Sequence, residues 1–350
     1  MSFSNLLQSG FSWEVELTSR CNSRCVGCSR YSHFYYPNPF FNSRLDLDIE
    51  VLKKALRESA QVDFILFCGN YGDPLLHPQI FDILEFIRQE KGSVGVVVHT
   101  NASFGSQDFW IQLASYFQTP GSFIKFSLDG LADSHEKFRR GTNWETALAN
   151  AKTFIAAGGR AVWQMIDFAH NKNEIETARE MSQKLGFRRF DLRKNNYPGL
   201  DSAIAETAID LRNPPASVAQ FDLNKEELQT WYRSQLREKP AHSIECRSLT
   251  RKNIYLDVNG HVWPCCWVGG LPYRPEHELR EWFQQETLNR YKKGFNSLVE
   301  QSLEQIFSHP WWQKHLPESW NLSAQHSPVV LSTCVKTCGK CVNEWAAPNV

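Results

Sequence analysis

Three cysteines, Cys21, Cys25 and Cys28, stand in the run Cys21-Asn22-Ser23-Arg24-Cys25-Val26-Gly27-Cys28, a C-x3-C-x2-C spacing. An alternating stretch, Trp13-Glu14-Val15-Glu16-Leu17, comes just before and reads as a short strand. The cysteines then fall on the loop that leaves its C-terminal end. Clustered soft thiolates on a loop select zinc or an iron–sulfur cluster. Three thiolates rather than four is the informative count. A four-iron cubane held by three cysteines keeps one iron open for an exogenous ligand, whereas a structural zinc must borrow a fourth donor.

The last third of the chain holds six more cysteines: Cys246, Cys265, Cys266, Cys334, Cys338 and Cys341. Between the first two lies Ile254-Tyr255-Leu256-Asp257-Val258-Asn259-Gly260-His261-Val262-Trp263. Asn-Gly flanked by alternating apolar residues is a hairpin signal, and a hairpin would bring Cys246 and Cys265 together at its base. Cys68 ends an apolar run and reads as core.

The elements that must position these groups follow from periodicity. Helical spacing covers Ile49 to Glu58, Gln79 to Glu90, Gln107 to Phe117, Trp144 to Ala157 and Glu174 to Leu185. Strand-length apolar or alternating runs cover Phe64 to Cys68, Val94 to Thr100, Phe123 to Leu128, Ala161 to Ile166 and Arg189 to Arg193. With the first strand, this is six alternations of strand and helix, the pattern of parallel strands with helices outside. Such folds gather active groups at the C-terminal ends of strands. Polar residues stand there: Gly69-Asn70-Tyr71-Gly72-Asp73-Pro74, His99-Thr100-Asn101, Ser127-Leu128-Asp129-Gly130, and Arg193-Lys194. On the fourth strand Lys125, Ser127 and Asp129 share one face, Ile124, Phe126 and Leu128 the other. Buried charge is costly unless paired or used, so the polar face reads as a site rather than core. Tyr31 to Phe41 reads as an irregular lid. Pro198, Gly199, Pro214 and Pro215 mark a linker. Glu276 to Lys293 and Leu298 to Phe307 read as helices, with Trp311-Trp312 packing them. The organisation expected is a barrel domain over 1–194, a bridging segment over 195–240 and a cysteine-bearing domain over 241–350.

Composition narrows the classes. Lys plus Arg equals Asp plus Glu at 38 each in 350 residues, so no net field draws in nucleic acid or an anionic membrane. A mean hydropathy of −0.43 and the absence of a long apolar run argue against a membrane span. No secretory signal is visible, so a cytoplasmic setting with reduced thiols is expected.

The C-x3-C-x2-C triplet after a first strand resembles the signature of the radical S-adenosylmethionine (radical SAM) superfamily, with Gly27 where the family usually carries an aromatic. The resemblance implies a partial (βα)6 barrel, an α/β fold. It implies a 4Fe–4S cluster on Cys21, Cys25 and Cys28 whose open iron chelates S-adenosylmethionine, and reductive cleavage of that cofactor to a 5′-deoxyadenosyl radical. Gly72 and Asp73 resemble the family's Gly-Gly-Glu-Pro motif, which meets the methionine amino group. Thr100 and Asn101 fall where the ribose is met, Ser127 and Asp129 at the fourth-strand edge, and Gln164 where the adenine packs. No residue is assigned as a hydrogen donor or general base. The pattern Cys246-x13-Gly260-x4-Cys265 resembles the SPASM and twitch extensions, which bind auxiliary clusters. One auxiliary 4Fe–4S cluster is expected on Cys246, Cys265, Cys338 and Cys341, with Cys334 or Cys266 as exchangeable ligands. The missing C-x2-C-x5-C-x3-C run favours the one-cluster twitch form.

The family analogy points to a ribosomally made peptide as substrate, altered by crosslinking, epimerisation or backbone excision. A flavodoxin- or ferredoxin-type reductant would supply the electron. No leader-binding domain is visible before Trp13, so a separate peptide-binding partner protein is expected. Two alternatives stay open: a radical SAM dehydrogenase or mutase acting on a small molecule or sugar, and a non-catalytic zinc-stabilised binding module.

Overall fold

The computed structural model describes residues 3–32, 36–41, 44–195, 200–205, 244–274, 280, 283–292, 294–320, 333–334 and 337–339. Helix α1 (Phe3–Ser9) and strand β1 (Phe11–Glu16) open the chain. After the cysteine loop come a two-rung ribbon, β2 (Tyr31–Ser32) with β3 (Tyr36–Pro37), and α2 (Ile49–Glu58). Then follow β4 (Val62–Cys68), α3 (Ile80–Glu90), β5 (Gly95–Thr100), α4 (Gln107–Ala114), β6 (Phe123–Ser127) and the one-turn α5 (His135–Phe138). The series continues with α6 (Trp144–Ala156), β7 (Ala161–Asp167), α7 (Ile175–Lys184), β8 (Arg189–Lys194) and α8 (Leu200–Ala205).

Strands β1, β4, β5, β6, β7 and β8 lie side by side in that order and form the six-stranded parallel sheet of a radical SAM partial barrel, as the alternation predicts. The register is set by pairs such as His99 with Lys125, Ser127 with Gln164, and Gln164 with Asp191. Since side chains alternate along a strand, these pairs share one face. Phe126 and Trp163 occupy the opposite face. Both are fully buried and pack against Trp110 and Phe154, or Trp144 and Phe187, of the surrounding helices and loops. Each such burial contributes about 1.5–3 kcal/mol, so the aromatic outer layer is what holds the strands in register. The inner face, in contrast, is polar.

The chain divides into two compact units, one of residues 1–14, 50–63 and 215–350, the other of 15–49 and 64–214. The second carries the cysteine triplet and the C-terminal ends of β1 and β4 to β8. In the first, β9 (Asn253–Leu256) and β10 (Val262–Trp263) form the expected hairpin, pairing Leu256 with Val262 and Tyr255 with Trp263. Gly260 turns it at φ +81, a left-handed conformation that suits glycine. The buried carboxylate of Asp257 braces the hairpin, accepting from the Asn259 and His261 backbone and from Trp263 Nε1.

The reading of the last segment needs correction. A helix over Leu298 to Phe307 is too long: Ser302 forms a capping box with Gln305, and the helix runs only Leu303–Ser308. Residues 298–301 turn instead, because Glu300 and Gln301 donate back to the Ser297 carbonyl. Of the helix expected over Glu276 to Lys293, a π-helical turn at Gln284–Leu288 and Asn289–Tyr291 are described, while 275–279, 281–282 and 293 lie outside the described residues. Trp311 and Trp312 are buried against aromatic neighbours, including Phe295 and Phe3. The segment 206–243, most of the expected linker, lies outside the described residues. Helix α8 stands within its first part, where the proline and glycine signals gave no hint of one.

Candidate active site

The cysteine loop is fastened on three sides. Ahead of it, Arg20 forms a bidentate pair with Asp46 at 2.6 to 2.9 Å, fixing the exit of the chain after β1. Along its length, Arg24 N donates to Arg140 O at 2.6 Å and Val26 N to Phe138 O at 3.2 Å. At its end, Cys28 N donates to Cys25 O at 3.2 Å, closing a turn in which Gly27 takes φ +73. A side chain at that φ is strained, which explains glycine at the position where an aromatic is usual.

The three sulfurs are within electrostatic reach of one another. Burial pushes the Cys28 thiol up to about 12, and the charges of Cys25 and Cys21 add to it. Burial also raises Cys21, with Asp73 and Cys25 adding. The Ser23 hydroxyl lies 3.0 Å from Cys21 Sγ and 3.4 Å from Cys25 Sγ, between the two. Three thiols gathered on one loop are a soft donor set that fits an iron–sulfur cluster. Val26, Phe138, Phe168 and Ile204 pack around Cys25 as an apolar shell, which limits water at such a cluster.

The strand ends carry a connected set of polar groups. Glu16, fully buried at the end of β1, accepts from Asn70 N at 3.2 Å and Tyr71 N at 2.8 Å, holding the loop after β4. Gly72 lies flat against β1's continuation: a Cβ there would stand 2.0 Å from Thr18 O. Asp73 N donates to Arg20 O at 2.7 Å. Its carboxylate accepts from Thr100 Oγ1 at 2.9 Å, from Asn101 N at 2.8 Å and from Asn101 Nδ2 at 2.9 Å. Burial pushes Asp73 up to about 6 even against those bonds. Asn101 Nδ2 also reaches Asn22 Oδ1 at 2.9 Å and Cys21 Sγ at 3.7 Å. Thus of the expected cofactor-binding residues Asp73, Thr100 and Asn101 form one hydrogen-bonded brace running to the cysteine loop, with Gly72 packed against Thr18 beside it.

Asp129 is committed elsewhere. It is fully buried, its Oδ2 2.6 Å from Arg139 Nε, and its Oδ1 accepts from Ile166 N at 2.6 Å. Arg139 Nη1 in turn points at Cys25 Sγ, 3.8 Å away. Sequence reasoning missed Arg139 and left Glu16 undecided. The signal for Arg139 was available: an acid on a buried face needs a cation within reach, and Arg139 lies one helical turn beyond α5's start. Ser127 and Gln164 are paired neighbours on the inner face, and Gln164 Oε1 is buried with no partner among the described residues.

In the other unit, Cys246, Cys265, Cys266, Cys334 and Cys338 line a single cavity of about 210 Å³. An antiparallel bridge from Ile244 to Gly339 brings the two cysteine segments together. Burial pushes Cys265 up to about 12, with Cys246 and Cys338 adding. Cys334 is raised by burial and then by Cys265, Cys246 and Cys338. Four thiols therefore share one wall. Burial raises Cys246 as well; backbone N–H groups of Leu249 and Ser248 oppose the rise there, and those of Val268 and Trp267 oppose it at Cys265. This donor set fits an iron–sulfur group better than paired core thiols. Cys341 lies outside the described residues.

The comparisons with known proteins agree with this geometry. A family model described as the Radical SAM superfamily matches residues 15–182. No curated protein matches the chain. Among solved structures, Streptococcus suis SuiB bound to S-adenosylmethionine aligns with a TM-score of 0.52 at 15% identity, over 94% of this chain and 73% of that one. SuiB bound to its precursor peptide SuiA gives 0.52 at 15% identity, over 94% and 72%. The anSMEcpe structure with bound AdoMet gives 0.51 at 13% identity, over 86% and 78%. At these identities the likeness is one of fold.

Proposed function

We propose that this chain, whose residues 15–182 form a radical SAM superfamily domain, is an enzyme that uses S-adenosylmethionine to modify a ribosomally made peptide. The observation that carries the chemistry is the gathering of Cys21, Cys25 and Cys28 on the loop after β1, where the Ser23 hydroxyl lies 3.0 Å from Cys21 Sγ and 3.4 Å from Cys25 Sγ and the charges of Cys25 and Cys21 act on Cys28. Cys21, Cys25 and Cys28 would hold a 4Fe–4S cluster. When bound, the cluster and S-adenosylmethionine together supply reductive cleavage of the sulfonium to a 5′-deoxyadenosyl radical.

The chain's own residues hold and shield that chemistry. Asp73, braced by Thr100 and Asn101, fixes the loop that carries Gly72 against the cysteine loop. Ser127 and Gln164 present polar groups on the inner face where a nucleoside can be hydrogen-bonded. Arg139 places a buried cation beside Cys25, where it offsets thiolate charge. The apolar shell of Val26, Phe138, Phe168 and Ile204 keeps water from the sulfurs. An auxiliary 4Fe–4S cluster on Cys246, Cys265 and Cys338, completed by Cys334 or Cys341, is supported by the shared cavity.

The peptide substrate is supported by structures of like fold. SuiB is described with the precursor peptide SuiA bound, and anSMEcpe with the peptide Cp18Cys. A low-potential flavodoxin or ferredoxin would supply electrons, and a separate protein would deliver the peptide. The test is anaerobic reconstitution with iron and sulfide, followed by dithionite and S-adenosylmethionine. The wild type forms 5′-deoxyadenosine, and the Cys21→Ala, Cys25→Ala and Cys28→Ala variants form none. Mass spectrometry of small peptides co-expressed with the wild type then shows a mass change that these variants lack. A change on a small metabolite and on no peptide would replace the substrate class.

A further inference from the structure

On the inner face of β5 to β8 a buried lysine has one remote carboxylate partner among the described residues. Lys125, on β6, is buried, with only 4% of its surface exposed. Its ion-pair partner is Asp191 on β8, and the separation is 3.9 Å. That carboxylate is already forked by Arg189, whose Nη2 lies 2.9 Å from Oδ2 while Nε bonds Oδ1. Arg189 is half exposed and draws Asp191 toward solvent. Among the described residues the other acids of this interior are engaged elsewhere: Glu16 by the backbone at Asn70 and Tyr71, Asp73 by Thr100 and Asn101, Asp129 by Arg139.

A neutral group beside it has no partner among the described residues: His99, the register partner of Lys125, has Nε2 buried and unbonded there. Burial and the neighbouring charges of Lys125 and Arg193 hold His99 down to about 3, so it stays neutral and offers one donor and one acceptor. A buried cation that shares a single distant carboxylate is expensive unless an anion arrives to pair it. Unsatisfied buried donors and acceptors likewise mark a place built for a ligand.

We infer that Lys125, with His99, binds a carboxylate of the substrate inside the barrel, one layer below the strand ends. The inference rests on the peptide-modifying reading and specifies it: the residue held in the barrel is acidic or lies next to an acidic one. S-adenosylmethionine also carries a carboxylate, so the experiment separates the two sources.

The probes are Ac-Gly-Glu-Gly-NH2 and its isostere Ac-Gly-Gln-Gly-NH2, titrated at constant ionic strength onto the anaerobic holoenzyme loaded with S-adenosylmethionine. The wild type binds the glutamyl probe about tenfold more tightly than the glutaminyl one. Lys125→Met, checked for folding by circular dichroism, binds the two alike, and Lys125→Arg keeps the preference. The affinity for S-adenosylmethionine is the same in all three proteins. Equal binding of the two probes by the wild type, or binding of neither, overturns the inference. So does a tenfold loss of S-adenosylmethionine affinity in Lys125→Met, which would assign the cation to the cofactor. Failure of the wild type to form 5′-deoxyadenosine would instead sink the catalytic reading and leave the probe comparison standing.

Discussion

Replacing Asp129 with alanine tests whether a buried charge relay holds the cysteine loop. Asp129 has no exposed surface and Arg139 little, so the 2.6 Å pair is shielded from water. Removing the acid leaves a buried guanidinium uncompensated, and breaking a buried pair in this way costs about 3–5 kcal/mol. It also strips Ile166 N of its acceptor, a loss of about 1–3 kcal/mol that overlaps with the first. Removing both partners, Asp129→Ala with Arg139→Met, leaves no orphaned charge. The double variant should therefore be more stable than the sum of the single losses predicts, with a coupling of about 2 kcal/mol. Urea unfolding of the anaerobic apo-proteins measures the cycle. Because Arg139 also reaches Cys25, iron content after reconstitution should fall in Asp129→Ala. A single-variant cost below about 1 kcal/mol, or additivity within about 0.5 kcal/mol, refutes the relay.

Other perturbations have definite outcomes. Gly72→Ala drives a Cβ into the Thr18 carbonyl and should cost about 3 kcal/mol or more in urea unfolding, with reduced iron incorporation; a neutral effect would mean the two loops are not packed together. Asp73 contributes a pH dependence. Between its ordinary 3.8 and about 6 the folded chain keeps a proton that the unfolded chain has lost, so stability falls as pH rises through that window. Relative to Asp73→Asn, the wild type should lose about 2 kcal/mol between pH 4 and pH 6, levelling off at a total of about 3 kcal/mol near pH 7, as unfolding at stepped pH would show. Cys334→Ser should lower iron per chain after reconstitution, since Cys334 is buried beside Cys265, Cys246 and Cys338 in the same cavity. Iron content unchanged by Cys334→Ser would remove Cys334 from the ligand set.

The barrel was legible because each strand needs one face buried by helices, and that requirement writes period-2 and period-3.6 patterns into the chain. Helix α2 was read at its true ends, since polar and apolar residues alternate with the helical period up to Glu58. The triplet and the hairpin were legible because ligand spacing and turn chemistry are local. What escaped was tertiary. Arg139 sits just past a four-residue helix with no amphipathic pattern, and its partners are Asp129, ten residues back in the turn after β6, and Cys25 on the cysteine loop. Asp73 was placed at the site by motif, but its role as a brace shows only when β5 arrives beside it. The turn at 298–301 was hidden by Val299, an exposed apolar residue that continued a helical stripe on paper. The long ion pair of Lys125 with Asp191 needed the register of three strands, although the face of Lys125 was foreseen.

The central claim is that the first cluster keeps one iron for S-adenosylmethionine. The most direct measurement is electron paramagnetic resonance of the dithionite-reduced protein, with Cys246, Cys265, Cys334 and Cys338 replaced by alanine so that only the triplet's cluster contributes. The account predicts a 4Fe–4S signal whose shape changes when S-adenosylmethionine is added. A signal indifferent to the cofactor, in protein shown to be loaded with iron, would contradict it.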